Sequence, residues 1–161
     1  PRRDTSRIVL PPYSYQHEQE KLTKRLPAAL DYIRANRLNE FFGPETSRVG
    51  IVLQGGMYNG VIRALQRLGL ADVHGETQVP LYVMNVAFPV VEDELLAFCD
   101  GKDAVLMIEE GTPAFIEQSV RAALHKAGVP TFIEGKGTVP EAGALTGGVL
   151  LNSIRTFLRA R

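Results

Sequence analysis

The amino-acid sequence predicts an α/β fold, a three-layer sandwich in which a mainly parallel sheet lies between two layers of helices. From residue 48 onward, short apolar runs rich in β-branched residues alternate with stretches of helical periodicity. Four such runs occur, as repeated strand–helix–strand units with right-handed crossovers would produce. The runs are continuously apolar, which is typical of strands buried on both faces. We therefore divide the chain into an N-terminal arm, residues 1–47, and an α/β domain, residues 48–161.

The arm is predicted to contain an extended start and two helices. Residues 10–15 include two consecutive prolines, and proline fixes its own φ and biases the preceding residue away from helix. A charged helix is expected over residues 17–25. A second helix begins at Pro27, where the missing N–H costs nothing, and runs to about residue 38. Residues 41–44 are predicted to end it with a Gly-Pro break.

The strands of the domain are predicted over residues 49–53, 80–86, 104–108 and 129–133. Each of the first three is followed by a helix whose apolar residues recur every three or four positions. Pro130 predicts an edge position for the fourth strand, because proline cannot donate to a neighbouring strand. A glycine-rich loop over residues 135–140 is expected to lead to a last helix over residues 146–161.

Composition excludes several classes of protein. The 18 basic and 18 acidic side chains cancel, whereas nucleic-acid binders and proteins that adhere to anionic membranes are usually basic. No apolar run approaches the roughly 18–20 residues needed to cross a bilayer. The N-terminus has no apolar stretch typical of a signal peptide. Because the chain lacks an initiator Met, we expect a processed chain or a fragment.

Cys99 is the only cysteine in the sequence. One thiol cannot form an internal disulfide, and an iron–sulfur cluster needs about four thiolates. The absence of a disulfide framework favours a cytoplasmic protein. Cys99 lies on the apolar face of a predicted helix, which favours a buried, unreactive thiol.

The turn between the first strand and its helix is the first candidate site. Its residues are Gly55, Gly56, Met57, Tyr58 and Asn59. α/β proteins bind ligands at the carboxyl edge of the sheet, and N–H groups at a helix start can hold a phosphate or carboxylate. The spacing fits neither a P-loop nor a dinucleotide fingerprint, since Met57 stands where the third glycine belongs. Ligand contact, subunit contact and a tight turn with glycines for close packing all stay open.

Glu109 and Glu110 follow the third strand and form the second candidate site at the same edge. Neighbouring residues of an extended chain point to opposite sides, so the two carboxylates are poorly placed to share a proton or a metal. One of them could cap a helix or bind a ligand hydroxyl. We expect a structural or interface role for both, and we expect Glu117 to be a solvated or interface acid.

We predict no catalytic residue and no metal ligand in this chain. His17, His74 and His125 have no Cys, Asp or Glu at metal-ligand spacing. The chain has no Gly-x-Ser-x-Gly elbow, and it lacks the thiamine diphosphate motif of Gly-Asp-Gly followed by Asn-Asn. The isolated domain is therefore expected to be inactive.

An ordered series of motifs resembles one known family. The motifs are VGIVLQGGMY at residues 49–58, MNVAFP at 84–89, VLMIEE at 105–110 and PEAGALT at 140–146. In order and spacing they resemble the transketolase C-terminal-like domain, a Rossmann-like fold, of indolepyruvate:ferredoxin oxidoreductases, which belong to the 2-oxoacid:ferredoxin oxidoreductases. Two positions depart from the family pattern: Ala144 replaces an acid, and Asn85 stands where a Lys is common.

The resemblance implies a parent enzyme that decarboxylates arylpyruvates, passes electrons to ferredoxin and forms aryl-acetyl-CoA. Thiamine diphosphate, Mg and 4Fe-4S clusters would belong to other domains. This domain would be non-catalytic and would contact other domains and subunits, with a homodimer left open. Two alternatives stay open as well, namely a stand-alone α/β ligand-binding module and the equivalent domain of another thiamine enzyme, such as a transketolase or a pyruvate dehydrogenase β subunit.

Overall fold

A five-stranded sheet between two helical layers forms the centre of the computed structural model, which describes residues 10–161. The strands are β1 (Glu40–Phe42), β2 (Val49–Gln54), β3 (Leu81–Met84), β4 (Ala104–Ile108) and β5 (Phe132–Val139). Their order in the sheet is β1-β3-β2-β4-β5. β2 to β5 are parallel, and only β1 runs antiparallel, beside β3. The predicted mainly parallel α/β fold is confirmed.

Helices cover both faces of the sheet. The described helices are α1 (Tyr13–Glu20), α2 (Leu26–Ala35), α3 (Tyr58–Arg67), α4 (Glu92–Cys99), α5 (Phe115–Ala127) and α6 (Gly147–Arg159). Of these, α3 to α6 pack on the sheet. Side chains alternate along β2, so Ile51 and Leu53 pack with α3 and α6 while Val52 packs with α4 and α5. This is why the apolar runs are continuous rather than alternating. Within the described part of the chain, no helix combines the length and apolar character that crossing a membrane demands.

Residues 13–15 are helical, so the predicted extended stretch over residues 10–15 is wrong. α1 begins at Tyr13, directly after Pro12. Prolines fit ahead of a first turn, because the N–H groups there have no partner within the helix. The prolines therefore precede the helix rather than prevent it.

α1 and α2 are joined by a wide π turn, Lys21–Arg25, instead of a break. The Leu26 N–H donates to the Lys21 carbonyl, five residues earlier. In a regular α-helix the ring of Pro27 would collide with the carbonyl four residues before it, and the wider turn gives that ring room. α2 then buries Ile33, as its spacing predicts.

β1 corrects the prediction that residues 41–44 only end a helix. Glu40 pairs with Val83 and Phe42 with Leu81, so the arm adds an antiparallel strand to the edge of the sheet. The ring of Phe41 stacks on that of Tyr82 with centroids 4.8 Å apart. The predicted boundary at residues 47 and 48 stays a prediction, with β1 on the arm side of it.

A buried polar cluster fastens the arm to the domain. Asn39 Nδ2 donates to the Tyr82 hydroxyl at 3.0 Å and to Glu94 Oε2 at 3.1 Å. The Tyr82 hydroxyl donates to the same Glu94 oxygen at 3.0 Å. Burial first, and then the neighbouring Glu94 charge, raise the pKa of Tyr82. The tyrosine therefore acts as a neutral donor that holds Glu94 in place.

The fourth parallel strand lies later in the chain than predicted. β5 spans Phe132–Val139, so the expected strand over residues 129–133 is largely wrong and the expected glycine-rich loop over residues 135–140 is mostly strand. β5 does occupy an edge of the sheet, as Pro130 suggests. Pro130 itself precedes the strand and leaves its hydrogen bonds intact.

Candidate functional site

The two candidate sites meet where the carboxyl ends of β2 and β4 lie side by side. The chain leaves β2 towards β3 on one side and later enters β4 on the other, which is the kind of switch point where open α/β sheets bind ligands. Here a side chain bridges that point, since Gln54 Oε1 accepts a hydrogen bond from the Glu110 N–H at 3.0 Å. The residues of both candidate sites thus follow strands that end at this one edge.

The first candidate site is a compact turn. Gly55–Met57 form one 3₁₀ turn that runs directly into α3. A Cβ on Gly55 would lie 2.3 Å from Asn85 Oδ1. Asn85 uses its amide group to donate to the Leu38 carbonyl and to Glu40 Oε2, each at 2.8 Å. The glycine thus leaves space for a side chain that ties the end of β3 to the arm, which favours the packing interpretation.

Exchanging each of the two adjacent glycines for alanine tests that interpretation. Gly55→Ala is expected to lower the free energy of unfolding by about 2 kcal/mol, because the new methyl group displaces Asn85. Gly56→Ala is the matched control, since a Cβ there meets nothing within 4 Å, and we expect its effect to stay within about 0.5 kcal/mol. Urea unfolding followed by circular dichroism gives both values. Equal losses in the two variants would contradict the close-packing role of Gly55.

Glu109 caps the N-terminus of α5, although it precedes that helix by several residues in the sequence. It is only 4% exposed, and its Oε1 accepts from the Ile116 N–H at 3.0 Å while Oε2 accepts from the Glu117 N–H at 2.9 Å. These N–H groups lie in the first turn of α5 and have no partner within the helix. The carboxylate therefore satisfies two donors at the positive end of the helix dipole.

Glu110 points to another element, as the alternation of an extended chain requires. Its Oε1 accepts from the Leu145 N–H at 2.9 Å, which fixes the loop ahead of α6. Thr112 supports the same region, because its hydroxyl donates to the Glu141 carbonyl. Both predicted carboxylates therefore organise loops of the protein itself.

Glu117 is a residue whose role sequence reasoning missed. It is 7% exposed, so the expectation of a solvated acid is wrong. Its Oε1 accepts from the Arg121 guanidinium at 2.8 Å and its Oε2 from the Lys136 N–H at 2.9 Å. The Lys136 ammonium in turn donates to the Glu109 carbonyl at 2.6 Å. The spacing of Glu117 and Arg121, one helical turn apart, was the available signal.

The remaining candidates are the possible metal ligands and the single cysteine. Within residues 10–161, no group of three His, Cys, Asp or Glu residues could hold a metal ion. Cys99 is buried, and desolvation raises the pKa of its thiol to about 12. A thiol of that kind stays protonated near neutral pH and is a poor nucleophile.

Two large aromatic side chains are exposed on the loops of this same edge. Phe88, after β3, is 77% exposed, and Phe115, at the start of α5, is 65% exposed. Because β2 lies between β3 and β4, these rings flank the turn at Gly55–Met57 in the order of the sheet. Exposed apolar side chains beside ordered loops are typical of contact surfaces.

Comparisons with known proteins agree on one family. The model of the indolepyruvate oxidoreductase domain matches residues 39–146. Indolepyruvate oxidoreductase subunit IorA of Methanothermobacter marburgensis is 33% identical over 121 residues, which is 73% of this chain and 18% of that protein. The IorA subunit of Thermococcus kodakarensis is 27% identical over 157 residues, 98% of this chain and 23% of its own length.

A solved structure has a similar fold. The 2-oxoglutarate:ferredoxin oxidoreductase from Magnetococcus marinus aligns with a TM-score of 0.62 at 18% identity, covering 92% of this chain and 24% of that chain. This chain therefore spans less than a quarter of the length of the relatives it matches.

Proposed function

The chain belongs to the indolepyruvate:ferredoxin oxidoreductase family, and from this membership we propose that it is a non-catalytic domain that braces other domains of a larger oxidoreductase. The parent enzyme would decarboxylate arylpyruvates oxidatively, pass the electrons to ferredoxin and form aryl-acetyl-CoA. Thiamine diphosphate, magnesium and the iron–sulfur clusters would be held by other domains and subunits. The location would be the cytoplasm.

The described residues do not fit an iron–sulfur cluster, and those at the carboxyl edge do not fit a magnesium ion. A cluster needs about four thiolates, and the sequence has only Cys99, which is buried. Magnesium needs carboxylate oxygens that are free to bind it. At the carboxyl edge, both Glu109 oxygens and one Glu110 oxygen already accept backbone N–H groups. No step of the chemistry is therefore assigned to this chain.

The observation that carries the proposal is that polar side chains at the switch point form hydrogen bonds within the domain itself. Gln54, Glu109 and Glu110 each accept a hydrogen bond from the protein's own backbone, so these side chains already have partners within the domain. Phe88 and Phe115 stay exposed at the same edge. A rigid edge with exposed aromatic rings supports a docking role more strongly than a catalytic one.

The assembled parent enzyme provides the test. Combining Phe88→Asp with Phe115→Asp is expected to weaken association with the remaining domains at least tenfold, because each change places a charge in an apolar contact. Val73→Asp is the matched control, since Val73 is 87% exposed but follows α3 at the opposite edge. Size-exclusion chromatography and turnover with indolepyruvate would report assembly and activity.

Two outcomes would contradict the proposal. The first is an aspartate double variant that assembles as completely as the control. The second is turnover of indolepyruvate by the isolated 161-residue chain with thiamine diphosphate and magnesium. A melting temperature that rises by several degrees with a nucleotide or an acyl-CoA would instead favour a ligand-binding module, since a ligand at about 100 times Kd adds about 2.7 kcal/mol.

A further inference from the structure

A cleft lies at the opposite edge of the sheet, where the parallel strands begin. It has a volume of about 450 Å³ and lies between β1 and the end of α4. Its lining is largely apolar and includes the rings of Phe41, Phe42 and Phe98. The volume is in the range of sites for small molecules, which are concave and mostly apolar with few polar groups.

One lysine, buried along most of its side chain, lines this cleft. Lys102 is 7% exposed, and its ammonium lies 4.7 Å from the centroid of the Phe98 ring. Within residues 10–161, that ammonium has no hydrogen bond and no ion pair. Burial lowers the pKa of Lys102, and the charge of nearby Asp100 opposes that shift only in part. The ammonium is therefore near a carboxylate but is not paired with one.

Gly50 of β2 makes room for this arrangement. A Cβ at Gly50 would lie 2.8 Å from Cζ of Phe98 and 3.1 Å from Cε of Lys102. The absence of a side chain there lets both residues lie directly on the strand. The position of the ammonium is thus set by the buried core and not by a mobile surface chain. Glu45, the one acid that lines the cleft, is exposed at its rim.

We propose that this cleft binds a small aromatic carboxylate. The carboxylate pairs with the Lys102 ammonium, and the ring packs against Phe41 and Phe98. A charge-assisted hydrogen bond gives the ammonium the direct partner that the described residues do not provide, and apolar walls favour an acid with an aromatic body over a hydrated ion such as phosphate. Because the site lies at the amino edge of the sheet, it is separate from the contact surface proposed above.

Titration of the 161-residue chain with phenylacetate tests the site, followed by two-dimensional amide NMR. We expect saturable shifts at Gly43, Gly50 and Lys102. Lys102→Met is expected to weaken binding by about ten- to a hundredfold, the usual contribution of a hydrogen bond to a charged group. Lys126→Met is the matched control, because Lys126 is an exposed lysine on α5, and its affinity should equal that of the unchanged chain.

A second comparison needs no variant. Phenylacetamide has the same ring without the charge and should bind at least tenfold more weakly than phenylacetate. The proposal is overturned by equal affinity for the amide and the acid, by full affinity in Lys102→Met, or by no saturation up to about 10 mM phenylacetate. Lys102→Met should fold, since methionine keeps an apolar chain of similar length beside Gly50 and Phe98.

Discussion

Glu109→Ala is expected to lower the free energy of unfolding by about 3–5 kcal/mol, one of the two largest effects we expect in this protein. The change removes two charge-assisted hydrogen bonds at once, those from the Ile116 and Glu117 N–H groups. Because Glu109 is only 4% exposed, water cannot readily replace the lost carboxylate. Two buried donors would then lack partners at the start of α5.

Chemical denaturation of the purified variant measures the loss, and two further variants define its cause. Glu110→Ala gives up one bond at an exposed residue and is expected to cost about 1 kcal/mol. Glu109→Gln retains one acceptor oxygen and should lie between Glu109→Ala and the unchanged protein. A Glu109→Ala protein as stable as Glu110→Ala would show that the cap contributes little.

Gly135→Ala is the second substitution with a large expected effect, a decrease of about 3 kcal/mol in the free energy of unfolding. A Cβ at Gly135 would lie 2.1 Å from Oε2 of Glu117, closer than any real contact allows. The carboxylate must then leave the Lys136 N–H that it accepts at 2.9 Å. The loss therefore combines overpacking with a broken charge-assisted hydrogen bond.

A double-mutant cycle identifies the collision. If the Glu117 carboxylate is what the new methyl group strikes, Gly135→Ala should cost much less in a Glu117→Ala background than in the unchanged protein. Gly148→Ala is the control, because a Cβ there meets nothing within 4 Å and the residue lies in α6. We expect that control to stabilise the protein by up to about 1 kcal/mol. If the losses of the two single variants simply add in the double variant, the new methyl group does not strike the Glu117 carboxylate.

The parts of the fold that the sequence predicted are those with a long, repeated signal. β2 and β4 are apolar runs of five or more residues, and both lie buried on two faces as their composition indicates. α3 and α5 have apolar residues at regular helical spacing and end at glycines. Each of these elements is specified by its own residues, so no tertiary information was needed.

The missed strands depend on partners that the sequence does not display. β1 has only three residues, too few for an alternating pattern, and it exists because β3 offers a free edge. β5 contains Gly135 and Gly137, which are typical of loops. Gly135 is needed there for a steric reason, since the Glu117 carboxylate occupies the space of its side chain. Residue 135 is therefore a glycine because of Glu117, which belongs to α5 and not to the strand.

Ligand or subunit contact at the candidate residues stays a prediction, and their contacts within the protein could be anticipated only in part. Helix capping by Glu109 was one of the roles considered, but the recipient helix could not be identified from spacing. Gln54 precedes the candidate residues and was assigned no role of its own, because a glutamine at the end of a strand has no distinctive chemistry by itself. Its role follows from the proximity of β2 and β4, which only the sheet order reveals.

β1 also bears on the solubility of the protein. Without it, β3 would be the outermost strand, and all four of its residues, Leu81 to Met84, are apolar and buried in the intact sheet. Unprotected edges of that kind pair readily with strands of other molecules. A chain shortened to residues 48–161 would present such an edge to solvent, whereas one that starts before residue 39 keeps it covered. The arm thus protects the sheet against aggregation.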